Sequence, residues 1–489
     1  MTDKKQIFQF SPFLIIGTIV TLLLFGGCDI LSPEDENDEN QYEQTDYDFE
    51  WVKKVEDISS YLLSGPRCAS DSDGNLIFSV SFSQKMAIDG DSVFAKKGYV
   101  DEIYIVKYNP DGEKLWGIQG GTKLLHWCGG NVINNDNVSD IQIDKENNIY
   151  VLGTICGDYF EIGDKVFGPD IFGSDDLSNC FLMKIRSDGN IEWVKGFIYF
   201  FTYFKLFPNG DIIIVSPLPA LGRNVVSSNR TLTKMNSKGE IQFTKEISFD
   251  KVSIAPSSDW GGGIAVSIDM NNDIFINAGV TINKNDTILV GFDGKELLCY
   301  KSNSSGGGKS GFIARYSQNG DIEAFAALDY DSGYSGIWPD NMGGAYALAL
   351  GSIFRLDENL EALESNFLYE PVLKDANDFD DYENWKYANL ELEVAGSECY
   401  IYGYNNGLES LGGHTILSTD TYLFGKVGQD VSIEWIESYP EKKYSVRNVD
   451  IPSNMPKYIF EFFEGGIEFN TGDIYTTSGE AGYIGKMNY

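Results

Sequence analysis

Histidine is almost absent from this chain: His126 and His414 are the two among 489 residues. Two imidazoles cannot build a multi-histidine metal centre, and no His-rich zinc spacing can be written along the sequence. Cations are scarce as well, with 37 Lys and Arg against 73 Asp and Glu, for a formal net charge of −36. Affinity for a phosphate backbone comes from clustered Lys and Arg, so this balance excludes nucleic acid as a partner. Long apolar runs are missing too. The run from Phe13 to Phe25 has 13 residues, short of the roughly 20 that a membrane-crossing helix needs.

Glycine and aromatic residues, by contrast, are plentiful: 52 Gly, 28 Tyr and 31 Phe, with 42% hydrophobic residues overall. That composition belongs to a folded chain with a large buried core.

The N-terminal region reads as an address. Lys4 and Lys5 precede the uncharged run Phe13 to Phe25, the order of a secretory signal peptide spanning residues 1–27. The run ends in Leu24-Phe25-Gly26-Gly27-Cys28, which resembles the lipobox of bacterial lipoproteins. The resemblance implies that Cys28 carries diacylglycerol and becomes the mature N-terminus; an ordinary signal peptide with a buried Cys28 is the alternative. Acyl chains contribute about 0.8 kcal/mol per buried methylene, so a multiply acylated Cys28 would hold the protein stably on a membrane. Residues 29–48 then hold nine Asp or Glu and no Lys or Arg. Such a stretch repels itself and reads, with Cys28, as a solvated tether over residues 28–48. An acidic stretch placed there resembles the surface-export signal of some lipoproteins, although in other bacteria an Asp in the place of Asp29 retains the protein at the inner membrane. The expectation is an outer-membrane lipoprotein exposed at the cell surface.

From residue 49 onward one phrase recurs. A Gly, Asn or Asp turn feeds a β-branched and aromatic run, as in Asp73-Gly74-Asn75-Leu76-Ile77-Phe78, Asn147-Asn148-Ile149-Tyr150 and Asn209-Gly210-Asp211-Ile212-Ile213. Further copies stand at Asn272, Gly343, Ser397 and Thr471, spaced with the others by 54 to 75 residues. Gly and Asn supply positive φ cheaply, so these are hairpin turns feeding strands. A second phrase follows each one: a strand, a turn centred on Gly, and a strand ending in Trp or Phe. Tyr104 to Tyr108 leads through Gly112 to Trp116, Phe181 to Ile185 through Gly189 to Trp193, and Leu232 through Gly239 to Phe243. Phe312 leads through Gly320 to Phe325 and Tyr422 leads to Trp435, while Ile353 to Leu363 is degenerate.

Tyr483-Ile484-Gly485-Lys486-Met487 matches Phe181 to Ile185, but no Trp-bearing strand follows it before Tyr489. A matching strand stands at the start of the repeat region instead: Phe49-Glu50-Trp51-Val52-Lys53 reads like Ile191-Glu192-Trp193-Val194-Lys195. A circular array explains this. The expected fold is all-β, a seven-bladed β-propeller over residues 49–489 closed by the N-terminal strand, with six or eight blades as alternatives. Residues 49–489 amount to 441, or 63 for each of seven blades. Trp51, Trp116, Trp193 and Trp435 then serve blade-to-blade packing. The two phrases resemble the SBBP-type β-propeller repeats of bacterial extracellular proteins, a family whose resemblance implies a fold and no shared catalytic motif.

Few constellations carry chemistry. Seven Cys less Cys28 leave six, which permit fifteen pairings in an exported chain. Cys156 near the end of one strand and Cys180 at the start of the next are proposed as a bridge pinning residues 157–179, with free buried thiols as the alternative. Asp71-Ser72-Asp73-Gly74-Asn75 begins like a calcium loop but lacks the downstream Glu, so it reads as a turn. There is no Gly-x-Ser-x-Gly elbow, P-loop, sialidase-type Asp box or quinoprotein Trp repeat. His126 beside Trp127 reads as a structural histidine rather than a general base. Three loops depart from the repeat: 157–179, 300–311 and 372–389. The last sets Phe379, Tyr382, Trp385 and Tyr387 among Asp380, Asp381 and Glu383. Flat aromatics beside carboxylates grip sugars or basic protein loops, so these four form the candidate ligand-binding loop.

The sequence therefore implies a binding or scaffold protein for a protein or glycan partner, with no metal, cofactor or catalytic residue identified. A polysaccharide hydrolase or lyase, and a structural subunit of an outer-membrane assembly, are the alternatives.

Overall fold

Asp71 to Asn75 shows how the chain reverses. The Asp71 N–H donates to the Asn75 carbonyl at 3.0 Å, and the Gly74 N–H donates to the Asp71 carbonyl at 2.9 Å. This is a type I turn closed by a bulge residue of positive φ, and Gly74 supplies a φ of 75°. The Asp71 carboxylate braces the turn by accepting from the Asp73 and Asn75 backbone N–H groups at 3.0 and 2.9 Å. The same pair of backbone bonds recurs at Asp144, Phe207, Asp269 and Phe469, and between later strand pairs at Asn109, Arg186, Asn236, Ser317, Asp357 and Gly428. The repeated phrases are thus repeated turns, and Asp71 is the brace of one.

The computed structural model describes residues 43–44, 49–56, 67–96, 99–123, 136–155, 159–168, 179–198, 203–217, 230–249, 264–282, 287–292, 295–301, 308–328, 334–340, 342–349, 351–369, 372–373, 385–395, 398–406, 408–416, 421–440 and 458–487. The chain divides into two compact units, Met1–Glu43 and Gln44–Tyr489. Among the described residues of the second, antiparallel strands form seven sheets of at least four strands.

Blade one is Arg67–Ser70, Leu76–Phe82, Tyr99–Tyr108 and Lys114–Lys123. Blade two is Asn137–Ile143, Ile149–Ile155, Asn179–Ile185 and Ile191–Ile198; blade three is Tyr203–Leu206, Ile212–Pro217, Arg230–Met235 and Ile241–Phe249. Blade four is Ile264–Ile268, Ile274–Ile282, Gly308–Tyr316 and Ile322–Leu328; blade five is Tyr334–Pro339, Ala345–Ala349, Ser352–Leu356 and Ala362–Phe367. Blade six is Trp385–Ala395, Glu398–Asn406, Thr421–Val427 and Ile433–Pro440. Blade seven is a long hairpin, Tyr458–Glu468 with Ile474–Met487, and its outer strand is Phe49–Glu56. Val52 stands opposite Gly485 and Lys53 opposite Ile484. The chain is a seven-bladed β-propeller closed by its N-terminal strand.

The core lies between blades, because each sheet buries both faces. Ile77, Ile105, Val151, Phe181 and Met183 fill the space between blades one and two. Val55, Phe78, Val106 and Ile484 do the same between seven and one. Each such side chain contributes about 1.5–3 kcal/mol on burial.

The long insertions have a use that the sequence reading missed. Phe160–Ile162 and Lys165–Phe167, within the insertion 157–179, leave blade two and pair with the outer strand of blade one, Ile162 opposite Gly120. Lys85–Ile88 and Asp91–Phe94 likewise extend blade seven, with Val55 opposite Ile88. Thr287–Phe292 and Lys295–Lys301 extend blade three, with Ile247 opposite Phe292. Ser410–Leu411 and His414–Thr415 dock beyond blade five, where the Gly412 N–H donates to the Leu368 carbonyl at 2.9 Å. An outer strand offers unpaired backbone groups, and these hairpins cover it.

Two loop expectations need correction. Lys295–Lys301 and Gly308–Tyr316 are strands at both ends of 300–311. In 372–389, Leu373 pairs with Trp385, and Trp385–Ala395 is the first strand of blade six. Its backbone is satisfied by sheet pairing, so Trp385 and Tyr387 are strand residues rather than loop residues. Among the described residues, no helix is long and apolar enough to cross a membrane.

Candidate functional site

One row of the propeller repeats most strictly. Opposite the Trp position, the strand paired with the outer strand of each blade carries a cation: Lys107, Lys184, Lys234, Arg315, Arg355, Lys426 and Lys486. Each is paired with a carboxylate of its own blade, as in Lys107 with Asp71 at 2.7 Å, Lys184 with Glu192 at 3.3 Å and Lys486 with Glu50 at 2.6 Å. Most also reach into the next blade. Lys184 donates to the Ser237 carbonyl at 3.1 Å, Lys234 to that of Gln318 at 3.1 Å, and Lys486 to that of Pro110 at 3.3 Å. The Trp indoles share these acceptors: Trp51 donates to Pro110, Trp116 to Ser187 and Trp193 to Ser237, at 2.9, 3.1 and 3.2 Å.

The ring itself rests on the turn glycine of the next blade. At Gly189, with φ of 87°, a Cβ would stand 2.9 Å from Trp116 Cγ. This pairing of large with small reverses where the repeat looked degenerate. Register puts Ala324, not Phe325, opposite Arg315, and Glu364 opposite Arg355. In the blades that follow, the turn position held elsewhere by Gly is Leu360 and then Val431, both buried and both at positive φ. Leu360 fills the space left above Ala324 in the cluster of Phe275, Ile313 and Leu356. Phe325 faces the other way, edge-on to Phe292 at 5.2 Å.

Blade six breaks the row. Trp435 holds the Trp position opposite Lys426, but among the described residues its indole N–H meets no turn carbonyl, and the side chain is 37% exposed. Among the described residues, Trp435 thus lacks the hydrogen-bonded joint that Trp51, Trp116 and Trp193 make. Its ring stands edge-on to Phe424 at 5.4 Å, and Phe424 stacks on Tyr400 at 5.8 Å and 6°. Lys426 bridges Glu398 at 2.9 Å and Glu434 at 3.5 Å, and the Tyr400 hydroxyl donates to Glu398 at 2.6 Å. That hydroxyl, followed by Lys426, holds the Glu398 carboxyl below the usual range, and Glu398 in turn raises the Lys426 ammonium. Glu398 is thus an ionised acceptor beside a half-open indole. An exposed ring face with fixed acceptors and a fixed cation can stack on a flat ligand and bind its hydroxyls.

The residues expected to form the site fall elsewhere. Phe379 and Tyr382 lie outside the described residues. Tyr387 pairs with Asn406, whereas Trp435 belongs to the row through Glu393, Tyr400 and Lys426. Six strand residues separate Tyr387 from Glu393, about 20 Å at the rise of a strand, so the two aromatic groups occupy opposite ends of blade six. Cys28, Cys156 and His126 also lie outside the described residues. Cys180 pairs with Thr154 rather than with the position of Cys156, so the expected direct opposition is corrected by two residues. His414 is a hairpin anchor on the Ile433 carbonyl at 2.7 Å. Among the described residues, no group of three or more His, Cys, Asp or Glu is placed to hold a metal ion.

No family model matches the chain, and no curated protein matches it. Several solved structures are similar in fold. The polysaccharide lyase Uly1 is 11% identical over 90% of this chain and 99% of its own, with a TM-score of 0.42. The C-terminal WD40 domain of Sif2 is 8% identical over 88% and 96%, with a TM-score of 0.34. A protein of unknown function from Bacteroides caccae is 13% identical over 69% and 90%, with a TM-score of 0.31. These likenesses concern the fold alone.

Proposed function

We propose that this chain is a lipid-anchored, cell-surface propeller that binds a glycan at blade six, displayed beyond the membrane by its acidic tether. The observation that supports it is Trp435. At the position where Trp51, Trp116 and Trp193 are bonded into the next blade, Trp435 keeps an open ring and an uncommitted N–H among the described residues. Glu398, Glu434 and Lys426 beside it supply acceptors and a donor for hydroxyl groups. Binding rather than hydrolysis fits this patch, because a carboxyl held ionised accepts hydrogen bonds and does not serve as a general acid at neutral pH.

Calorimetric titration of the purified protein against soluble neutral and acidic polysaccharides tests the reading. Saturable binding that falls about tenfold or more in Trp435→Ala is expected. Binding unchanged in that variant removes blade six from the account, and turnover of any glycan replaces binding by catalysis. For the anchor, Cys28→Ala moves the protein from the detergent phase to the aqueous phase; detergent partitioning unchanged by that substitution contradicts the lipid.

A further inference from the structure

The row cations reach one recurring acceptor in the next blade, the carbonyl of the second residue of the turn that leads into its outer strand. Lys107 donates to Ser187 at 3.5 Å, Lys184 to Ser237 at 3.1 Å, Lys234 to Gln318 at 3.1 Å, Arg355 to Gln429 at 3.5 Å and Lys486 to Pro110 at 3.3 Å. Where the facing residue is Trp, its indole N–H meets the same oxygen: Trp51 at Pro110, Trp116 at Ser187 and Trp193 at Ser237. An ammonium and an indole N–H thus share one amide carbonyl at each of these joints. The indole ring lies on the glycine two residues further along the turn, Gly112, Gly189 or Gly239.

Blade six carries the same two donors. Lys426 stands opposite Trp435 as Lys184 stands opposite Trp193. The next blade has no such turn to offer them, because its outer strand Phe49–Glu56 and the strand Ile474–Met487 beside it are not consecutive in the chain. Among the described residues, the Lys426 ammonium meets Glu398 and Glu434 of its own blade and no carbonyl of blade seven, and the Trp435 N–H meets no carbonyl. Closure of the ring by the N-terminal strand therefore removes the acceptor from this one joint and leaves its donors in place.

The turns of the other blades specify the chemistry that suits these donors. Each presents an amide carbonyl, followed by its N–H, a tetrahedral carbon and then a group that lies flat on the indole. An N-acetylated hexosamine repeats that order: acetamido carbonyl, N–H, ring carbon and pyranose face. A carboxylate or sulfate suits them less well, because Lys426 already faces two carboxylates and a third anionic oxygen would be repelled by both.

We propose that the glycan bound at blade six is an N-acetylated one, whose acetamido carbonyl accepts from Trp435 and Lys426 while its pyranose ring stacks on the open indole face. This rests on the glycan site proposed above and assigns its selectivity. Trp435 supplies the ring and one donor, Lys426 supplies the second donor, and Glu398 and Glu434 turn away anionic sugars.

The full chain is titrated in a calorimeter with four β-linked tetrasaccharides, those of N-acetylglucosamine, glucosamine, glucose and glucuronate. The acetylated tetramer is expected to bind about tenfold or more tightly than each of the other three. Trp435→Phe keeps an aromatic face and removes the N–H, and is expected to cut the preference for the acetylated tetramer over the glucose tetramer about threefold or more. Equal affinity for those two tetramers in the wild-type chain, tighter binding of glucosamine or glucuronate, or a preference unchanged in Trp435→Phe overturns the proposal. If the acetylated tetramer fails while another glycan still binds and is lost in Trp435→Ala, the assigned selectivity falls and the glycan site stands; if no glycan binds through Trp435, both fall. A cyclic peptide carrying Ser187-Asp188-Gly189 that binds through Trp435 when the acetylated tetramer does not makes the occupant a protein turn and likewise overturns the proposal.

Discussion

Trp51 and Lys486 donate to one carbonyl, that of Pro110, at 2.9 and 3.3 Å. One donor lies on the N-terminal strand, the other on the last described strand, and the acceptor is in blade one. Trp116 and Lys107 meet at Ser187 in the same way, as do Trp193 and Lys184 at Ser237. The closing blade therefore joins the ring with the bonds that hold ordinary neighbours together.

If the closure is equivalent to the other joints, Trp51→Ala costs as much as Trp193→Ala. Each loses a half-buried indole, its packing on a turn glycine and one hydrogen bond, for about 2–4 kcal/mol. Denaturant unfolding of the two variants checks this. A Trp51→Ala protein as stable as wild type contradicts closure by the N-terminal strand.

The exchange of large and small residues between Ala324 and Leu360 predicts strong coupling. Ala324→Trp alone overfills the space, and Leu360→Gly alone relieves positive φ but opens a cavity, so each is expected to destabilise by about 1–3 kcal/mol. The double variant restores the arrangement of Trp116 with Gly189 and recovers more than about 1 kcal/mol of the summed loss. Additive costs in a double-mutant cycle contradict the register assigned to blade four.

The buried pair of Asp71 and Lys107 predicts an acid-labile joint. Burial pushes the Asp71 carboxyl up, but hydrogen bonds from Lys107 and Asn75 outweigh it and hold the group below its ordinary value. A folded-state value below the unfolded one gives stability that is present above about pH 4 and is lost as pH falls through the folded value. Asp71→Asn is expected to lose about 3–5 kcal/mol at pH 7, because it strands a buried ammonium. The stability difference from wild type shrinks below pH 4. A difference independent of pH contradicts the pairing.

Cys399 is buried, and burial pushes its thiol up to about 12. At pH 8 the thiolate fraction of the folded protein is then on the order of a thousandfold below that of an ordinary cysteine. Iodoacetamide labelling followed by peptide mapping is expected to modify Cys399 in denaturant and to leave it unmodified in the native protein. Rapid native labelling contradicts its place in the core between blades five and six.

The ring was legible in the sequence because turn chemistry is local. Asp73-Gly74-Asn75 and Asp188-Gly189-Asn190 specify their bulged hairpins without help from distant residues, and Phe49 to Lys53 announced the closing strand by resemblance to Ile191 to Lys195. The seven cations were also visible in a row of motifs, Lys107 to Lys486, and their regularity was the unread signal. What stayed hidden depends on pairing between blades. Leu360 in the place of a glycine looks like decay until Ala324 is set against it. The hairpin at Phe160 carries no mark that it will pair with the blade before its own. Trp435 resembles Trp193 in every local respect, and only the absence of a turn carbonyl beside it, among the described residues, separates the two.

That contrast is tested most directly by Trp193→Ala and Trp435→Ala measured side by side for unfolding midpoint and glycan affinity. Trp193→Ala is expected to lower the midpoint and leave affinity intact, whereas Trp435→Ala lowers the midpoint less than Trp193→Ala does and lowers affinity about tenfold or more. A Trp435→Ala protein that is destabilised like Trp193→Ala and binds glycan like wild type contradicts the account of blade six.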